Sequence, residues 1–112
     1  MKKETSEKTY RIESYGKTYS VVPEYGEYSN NSALAVSLYT DGEERELFAV
    51  VTVNLPMSSK LPRGMQFVDV NNIPDIGEWL ENTGLAKPAG FSLRSGFVDY
   101  PAYEFNLPGS EK

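Results

Sequence analysis

The sequence predicts an α+β fold, in which an antiparallel sheet of five or six strands carries one short helix packed on a face. Three observations lead to this prediction. Apolar and polar residues alternate in several short runs, which is the period of half-buried strands. Glycine and proline separate these runs, as they do at turns between antiparallel strands. Apolar residues recur at helical spacing in one segment only, after residue 72.

The first two strands are predicted at 9–15 and 18–22, with Gly16-Lys17 as the turn between them. A two-residue loop containing glycine between two alternating runs is typical of a β-hairpin. Pro23 is expected to end the second strand, because proline has no N–H to donate to a ladder. The polar, tyrosine-rich segment 24–31 is therefore expected to be irregular and exposed.

A second hairpin is predicted from two alternating runs at 33–39 and 46–53, joined by the turn residues 41–44. The runs are rich in β-branched residues, and Asp-Gly is a strong turn signal. We expect these two strands to form the centre of the sheet.

The remaining elements are shorter. After a loop, residues 65–70 predict a strand and 74–82 predict the helix, with Asn72 as its cap and Gly84 as its stop. The next segment predicts a loop, followed by two short strands separated by Pro101.

The length of 112 residues corresponds to one domain, predicted at 8–107 between tails at 1–7 and 108–112. No apolar run approaches the roughly 18 residues of a membrane span. The charged start has no apolar stretch behind it, so we expect no secretory signal and a cytoplasmic location.

The chain contains neither histidine nor cysteine. Their absence excludes Ser–His–Asp and Cys–His triads and makes zinc or copper sites improbable. We therefore expect a protein that is not an enzyme and has no metal and no cofactor. Carboxylate or tyrosine chemistry remains open as an alternative.

The net charge of −5 is concentrated in the middle of the chain. Residues 24–81 contain ten acidic and three basic side chains, which gives this stretch a charge of −7. Such a surface repels bare nucleic acid and attracts basic proteins. A solvated surface that keeps the protein soluble is the other interpretation.

Two polar clusters have structural and functional interpretations. The oxygen-rich run around Asp69 and Asp75 could hold Ca²⁺ or Mg²⁺, but helix capping explains it without a metal. Arg94, between Ser92 and Ser95, could bind an anion, or could pair with a nearby acid such as Asp99.

The candidate binding surface for a protein partner combines acidic and aromatic side chains. Tyrosine suits interfaces because its ring is apolar and its hydroxyl is polar. In the segment 24–28, tyrosines alternate with glutamates where no strand is expected to need them. The predicted binding residues are Glu24, Tyr25, Glu27, Tyr28, Glu43, Glu44 and Arg94.

Several runs together resemble a known family: Tyr-Gly-Lys-Thr-Tyr (15–19), Thr-Val-Asn-Leu-Pro (52–56), Phe-Val-Asp-Val-Asn-Asn (67–72), Arg-Ser-Gly-Phe (94–97) and Tyr-Pro-Ala-Tyr (100–103). The chain resembles, over about residues 9–106, a family of small acidic uncharacterised proteins carried on conjugative and other mobile elements of Gram-positive bacteria. The resemblance implies a role against host defences, since small proteins of such elements often neutralise restriction enzymes or CRISPR nucleases.

The expected function is a non-catalytic protein-binding module of a mobile element, in its sharpest form an acidic inhibitor of a host defence nuclease (anti-CRISPR or anti-restriction). The expected partner is a basic protein, such as a nuclease or a nucleic-acid-binding complex. We expect no direct binding to nucleic acid or membrane. An accessory role in element maintenance or conjugative transfer, and an enzyme, are the alternatives.

Overall fold

The structure is a computed structural model and describes residues 4–5 and 8–107. These residues form two antiparallel sheets, one α-helix and one 3-10 helix. The prediction of a mostly antiparallel β fold with one helix is confirmed, but the prediction of a single sheet is wrong. Within the described residues, neither helix is long and apolar enough to cross a membrane.

The first sheet contains β1 (Glu4–Thr5), β2 (Tyr10–Ser14), β3 (Lys17–Glu27), β4 (Leu34–Thr40) and β5 (Leu47–Val50). Its order is β1-β3-β4-β5, and β2 also pairs with β3. The second sheet contains β6 (Thr52–Val53), β7 (Met65–Val68), β8 (Ala86–Ser95) and β9 (Val98–Phe105), in the order β6-β7-β9-β8. The 3-10 helix spans Pro56–Lys60 and α1 spans Ile76–Thr83.

Of the tails predicted at 1–7 and 108–112, the structure describes only residues 4–5, which form β1 beside β3. Residues 1–3, 6–7 and 108–112 lie outside the described part of the chain.

The first hairpin is confirmed, with its turn one residue earlier than predicted. Ser14 pairs with Lys17, so Tyr15 and Gly16 form the two-residue loop. Their φ angles of 53° and 79° are both positive, as in a type I′ turn. This turn leaves the Tyr15 side chain fully exposed at the tip of the hairpin.

Pro23 lies inside β3, which continues to Glu27, so the prediction that this proline ends the strand is wrong. Asp41 N donates a hydrogen bond to Ser20 O (3.0 Å). Because backbone N–H and C=O groups alternate sides along a strand, the even-numbered residues of β3 point these groups toward β4. The backbone nitrogen of Pro23 therefore points away from β4, toward the side of β3 that pairs with β1 and β2. There the pairing with β2 ends at Val21 and the pairing with β1 begins at Glu24, so the missing N–H falls in a break.

The strand predicted at 46–53 divides between the two sheets at Val51. Its N–H donates to Val36 O (2.8 Å) in the first sheet. Its carbonyl accepts from Asp69 N (2.8 Å), just beyond β7 in the second sheet. β5 is consequently an edge strand, and the prediction that it lies at the centre of the sheet is wrong.

The segment predicted as a loop around Arg94 is the edge strand β8, and β9 continues through Pro101. Phe105 N donates to Gly64 O (2.8 Å), so odd-numbered residues of β9 point their backbone groups toward β7. The ladder between β7 and β9 ends at Ala102. Pro101 therefore lies just beyond this ladder, where its missing N–H breaks no bond.

Helix α1 begins later than predicted. Asn72 is not its cap, because the Asn72 N–H and Nδ2 donate to the carboxylate of Asp69 (3.1 and 2.8 Å). The helix ends as predicted at Gly84, whose φ of 78° is left-handed. Ile76 and Leu80 of the helix are buried in the main core together with residues of both sheets.

Candidate functional site

Tyr25 belongs to the core and not to an exposed loop. It lies in β3 and is only 5% exposed. Burial raises the pKa of its hydroxyl to about 12, and the nearby Tyr10 contributes in the same direction. The expectation that this ring is exposed, on which its predicted binding role rests, is wrong.

Tyr28 is half-buried and holds the β3–β4 loop in place. Its Oη lies 3.0 Å from Thr52 Oγ1, which also accepts a hydrogen bond from Val36 N (3.1 Å). The hydroxyl therefore connects the loop to the point where the chain passes from the first sheet to the second. Tyr28 has a structural task that the sequence pattern does not reveal.

The predicted acidic residues do not meet in one patch. Glu27 pairs with Leu34 at one end of the β3–β4 ladder, and Val21 pairs with Thr40 at the other end. Six residues of strand separate these ends, which is about 20 Å. Residues 43–44 are exposed in the turn beyond Thr40, so the structure separates them from Glu27.

Arg94 lies on the second sheet and pairs with an acid, as one of the two interpretations predicts. Its Nη1 lies 3.4 Å from Asp99 Oδ1, and the two residues are cross-strand partners. Both side chains are more than half exposed, so the ion pair adds little stability.

A polar cleft of about 450 Å³ lies between the end of β3 and the segment 58–64. Beside it, the fully buried Gln66 donates to Leu34 O (2.9 Å) and accepts from Ser58 Oγ (2.8 Å). Buried polar groups require such partners. These side chains hold the two sheets together, and their hydrogen bonds are made within the protein.

A larger groove of about 700 Å³ lies between α1 and the first sheet, and we name it the α1 groove. One wall is the end of β2 with its turn, another is the segment 72–79, and β5 contributes Phe48 and Ala49. Seven of its lining side chains are apolar: Ile12, Phe48, Ala49, Ile73, Pro74, Ile76 and Trp79.

Side-chain contacts fix the walls of the α1 groove. Trp79 Nε1 donates to Arg11 O (2.7 Å), which joins α1 to β2. The rings of Trp79 and Tyr10 meet edge to face with centroids 6.3 Å apart. Phe48 packs on Tyr19 with centroids 5.0 Å apart. These contacts within the protein hold the walls of the groove in place.

The charges in the α1 groove have one sign. Glu13 on β2, with Asp75 and Glu78 on the helical side, line it, and no lysine or arginine is among its described lining residues. Asp75 is the N-cap residue of α1, yet its side chain makes no capping hydrogen bond. An apolar lining with carboxylates of one sign suits an apolar group that has positive charges beside it.

None of the residues that line the α1 groove is among those predicted from the sequence to bind a partner. Trp79 is predicted as core because it continues the apolar stripe of the helix, and the structure makes it half-buried, in contact with both core and groove. Asp75 and Glu78 are explained by the helix dipole alone. The sequence signal that could have pointed to the groove was Tyr15-Gly16. A tyrosine at a tight hairpin turn is exposed, and Tyr15 lines the groove.

Acidic side chains do not form a metal site in the described part of the chain, where no three of them lie close enough together to hold one ion. Tyr103 Oη donates to Glu81 Oε2 (2.7 Å), and burial and this carboxylate raise the tyrosine pKa to about 12. The pair joins α1 to β9, and a phenol with such a pKa stays protonated at neutral pH.

Comparison with known proteins gives one family. The model of a family described as a domain of unknown function (DUF4313) matches residues 23–112. The match includes β5 and α1, but not β2 and its turn. Neither a curated protein nor a solved structure matches the chain.

Proposed function

We propose that this chain, which belongs to the DUF4313 family, is a non-catalytic protein-binding module whose partner presents a basic surface. The α1 groove supports the proposal most directly. It combines apolar lining with three carboxylates and no described basic side chain. Apolar contact provides affinity, and charge complementarity provides specificity and a fast association rate.

The sharpest form of the proposal is an inhibitor of a host defence nuclease, encoded on a mobile element of a Gram-positive bacterium and acting in the cytoplasm. A nuclease lines its nucleic-acid channel with lysine and arginine, because these neutralise phosphates. A protein with net charge −5, and −7 within residues 24–81, is attracted to such a channel. The family resemblance of the sequence to proteins of mobile elements supports this form.

The test begins with the immobilised protein in a lysate of a host that carries an active defence nuclease. Bound proteins are eluted at low and high salt and identified, and the purified candidate is then assayed for cleavage with and without this protein. The proposal predicts capture of the nuclease, release by salt and loss of cleavage.

The matched control is a variant in which Glu13, Asp75 and Glu78 are replaced by their amides. Equal capture by the variant and the natural chain would contradict the electrostatic part of the proposal. Capture of transfer proteins instead, without loss of cleavage, would favour a role in element maintenance or conjugative transfer.

A further inference from the structure

The α1 groove has the size and lining of a site for part of a peptide. Binding sites for small ligands typically have volumes of about 300–1,000 Å³ and mostly apolar walls. The groove, with about 700 Å³, falls in this range, and aromatic side chains stand on two of its sides. A peptide segment of a few residues would be needed to fill such a volume.

The groove requires little reorganisation before binding. Trp79 is fixed by its hydrogen bond to Arg11 O, and Phe48 is fixed against Tyr19. Side chains that are already ordered lose less conformational entropy on binding. The apolar lining is therefore available to a ligand at low entropic cost.

The carboxylates that line the groove come from two different elements. Glu13 extends from β2, while Asp75 and Glu78 belong to the start of α1. None of the three makes an ion pair or a side-chain hydrogen bond with another described residue. Their negative charge is thus available to pair with cationic groups of a ligand that binds in the groove.

The backbone at the groove favours an extended ligand. β5 is the last strand of its sheet, and Phe48 and Ala49 of this strand line the groove. Its neighbours Leu47 and Val50 are 54% and 41% exposed. A strand edge with exposed apolar side chains can pair with an extended segment of another protein.

We infer that the α1 groove binds an extended basic segment of the partner, with one apolar side chain among Phe48, Ile73 and Trp79 and with lysine or arginine beside Glu13 and Glu78. This inference rests on the proposed function and names the site and the chemical class of the segment. It moves the binding surface from the predicted strip at 24–28 to the groove where α1 meets the first sheet.

The probe is a synthetic nine-residue peptide with a central leucine, lysines on both sides of it and serine elsewhere. Trp79 is the only tryptophan of the chain and lines the groove, so its fluorescence reports occupancy directly. We expect a saturable change in Trp79 emission that weakens as salt increases. Peptides with serine in place of leucine, or glutamate in place of lysine, are expected to bind at least about tenfold more weakly.

Two variants with the same change in net charge locate the site. Glu13→Gln with Glu78→Gln removes two groove charges, and Glu43→Gln with Glu44→Gln removes two charges from the β4–β5 turn. The groove variant is expected to lose about tenfold in affinity and the turn variant less than about twofold. Urea unfolding of both variants checks that the fold is retained.

Equal losses in the two variants, or no response of Trp79 to the leucine–lysine peptide, would overturn the inference. These failures are distinct from failure of the proposed function. If the host nuclease is still captured and inhibited while the peptide does not bind at the groove, the protein binds a basic partner through another surface. Capture of no basic protein would instead reject the proposed function itself.

Discussion

The segment 24–28 and the α1 groove both combine carboxylates with aromatic rings, yet the molecule uses the rings differently. In the segment 24–28, Tyr25 is in the core and Tyr28 is hydrogen-bonded to Thr52. In the groove, Trp79 and Phe48 are packed on one side and open to a cavity on the other.

The comparison shows that composition alone does not identify a binding surface. Both regions have the same types of side chain. In the segment 24–28, however, β3 continues through Pro23, and the side chain of Tyr25 is therefore buried in the core. In the groove, the short strand β5 and the late start of α1 leave apolar side chains uncovered. Strand length and helix start therefore decide which aromatic residues can meet a partner.

The largest expected effect is on stability. Tyr25→Ala should lower the free energy of unfolding by about 3–5 kcal/mol, because it removes a buried aromatic ring and leaves a cavity. Tyr15→Asn is the matched control, since asparagine tolerates a positive φ and the Tyr15 ring contacts solvent. We expect a change within about 0.5 kcal/mol for the control.

Urea unfolding at constant pH measures both variants. Similar small losses for Tyr25→Ala and Tyr15→Asn would mean that Tyr25 is not a core residue, and the contrast between the two regions would disappear.

A second expected effect is on tyrosine ionisation. Two of the eight tyrosines, Tyr25 and Tyr103, should titrate near pH 12, above the ordinary pKa of 10.0. Burial is the main cause in both, and Glu81 adds to it for Tyr103. Ultraviolet absorbance of phenolate against pH, with Tyr25→Phe and Tyr103→Phe as controls, checks the assignment.

The same shift has a consequence for stability. Below pH 10 both phenols are neutral in the folded and unfolded chains, so their contribution to the free energy of unfolding is fully present. As the pH rises through 10 toward 12, the unfolded chain ionises first, so the free energy of unfolding falls. A urea midpoint that stayed constant over this range would contradict the raised pKa values.

A smaller effect is expected from acids outside the groove. Glu27→Gln should change the affinity for the leucine–lysine peptide by less than about twofold, because Glu27 does not line the groove and its charge is screened by salt. Trp79 fluorescence titration measures it beside Glu13→Gln. A larger loss for Glu27→Gln would return the binding surface to the segment 24–28.

The local elements were largely predictable from the sequence. Two-residue turns containing glycine predicted the first hairpin, and Gly84 predicted the end of α1, because positive φ angles leave a clear sequence signature. The alternation in 33–39 and 46–53 predicted strands correctly. Each of these signals depends only on residues close together in the chain.

The assembly of the sheets could not be read in the same way. Pro23 and Pro101 fit inside strands only because the neighbouring ladders end beside them. Val51 passes from one sheet to the other through hydrogen bonds to Val36 and Asp69, which are distant in sequence. The α1 groove depends on this assembly, and its lining residues therefore carry no common local motif.

The most direct test of the central claim compares the tips of two hairpins. Tyr15 borders the α1 groove, while Phe97 occupies the turn between β8 and β9, and both side chains are almost fully exposed. A photoreactive phenylalanine analogue is placed at each position in turn, and the protein is irradiated with its captured basic partner. If the partner binds at the α1 groove, position 15 cross-links to it and position 97 does not. Cross-linking from position 97 alone, or equally from both positions, would contradict binding at the groove.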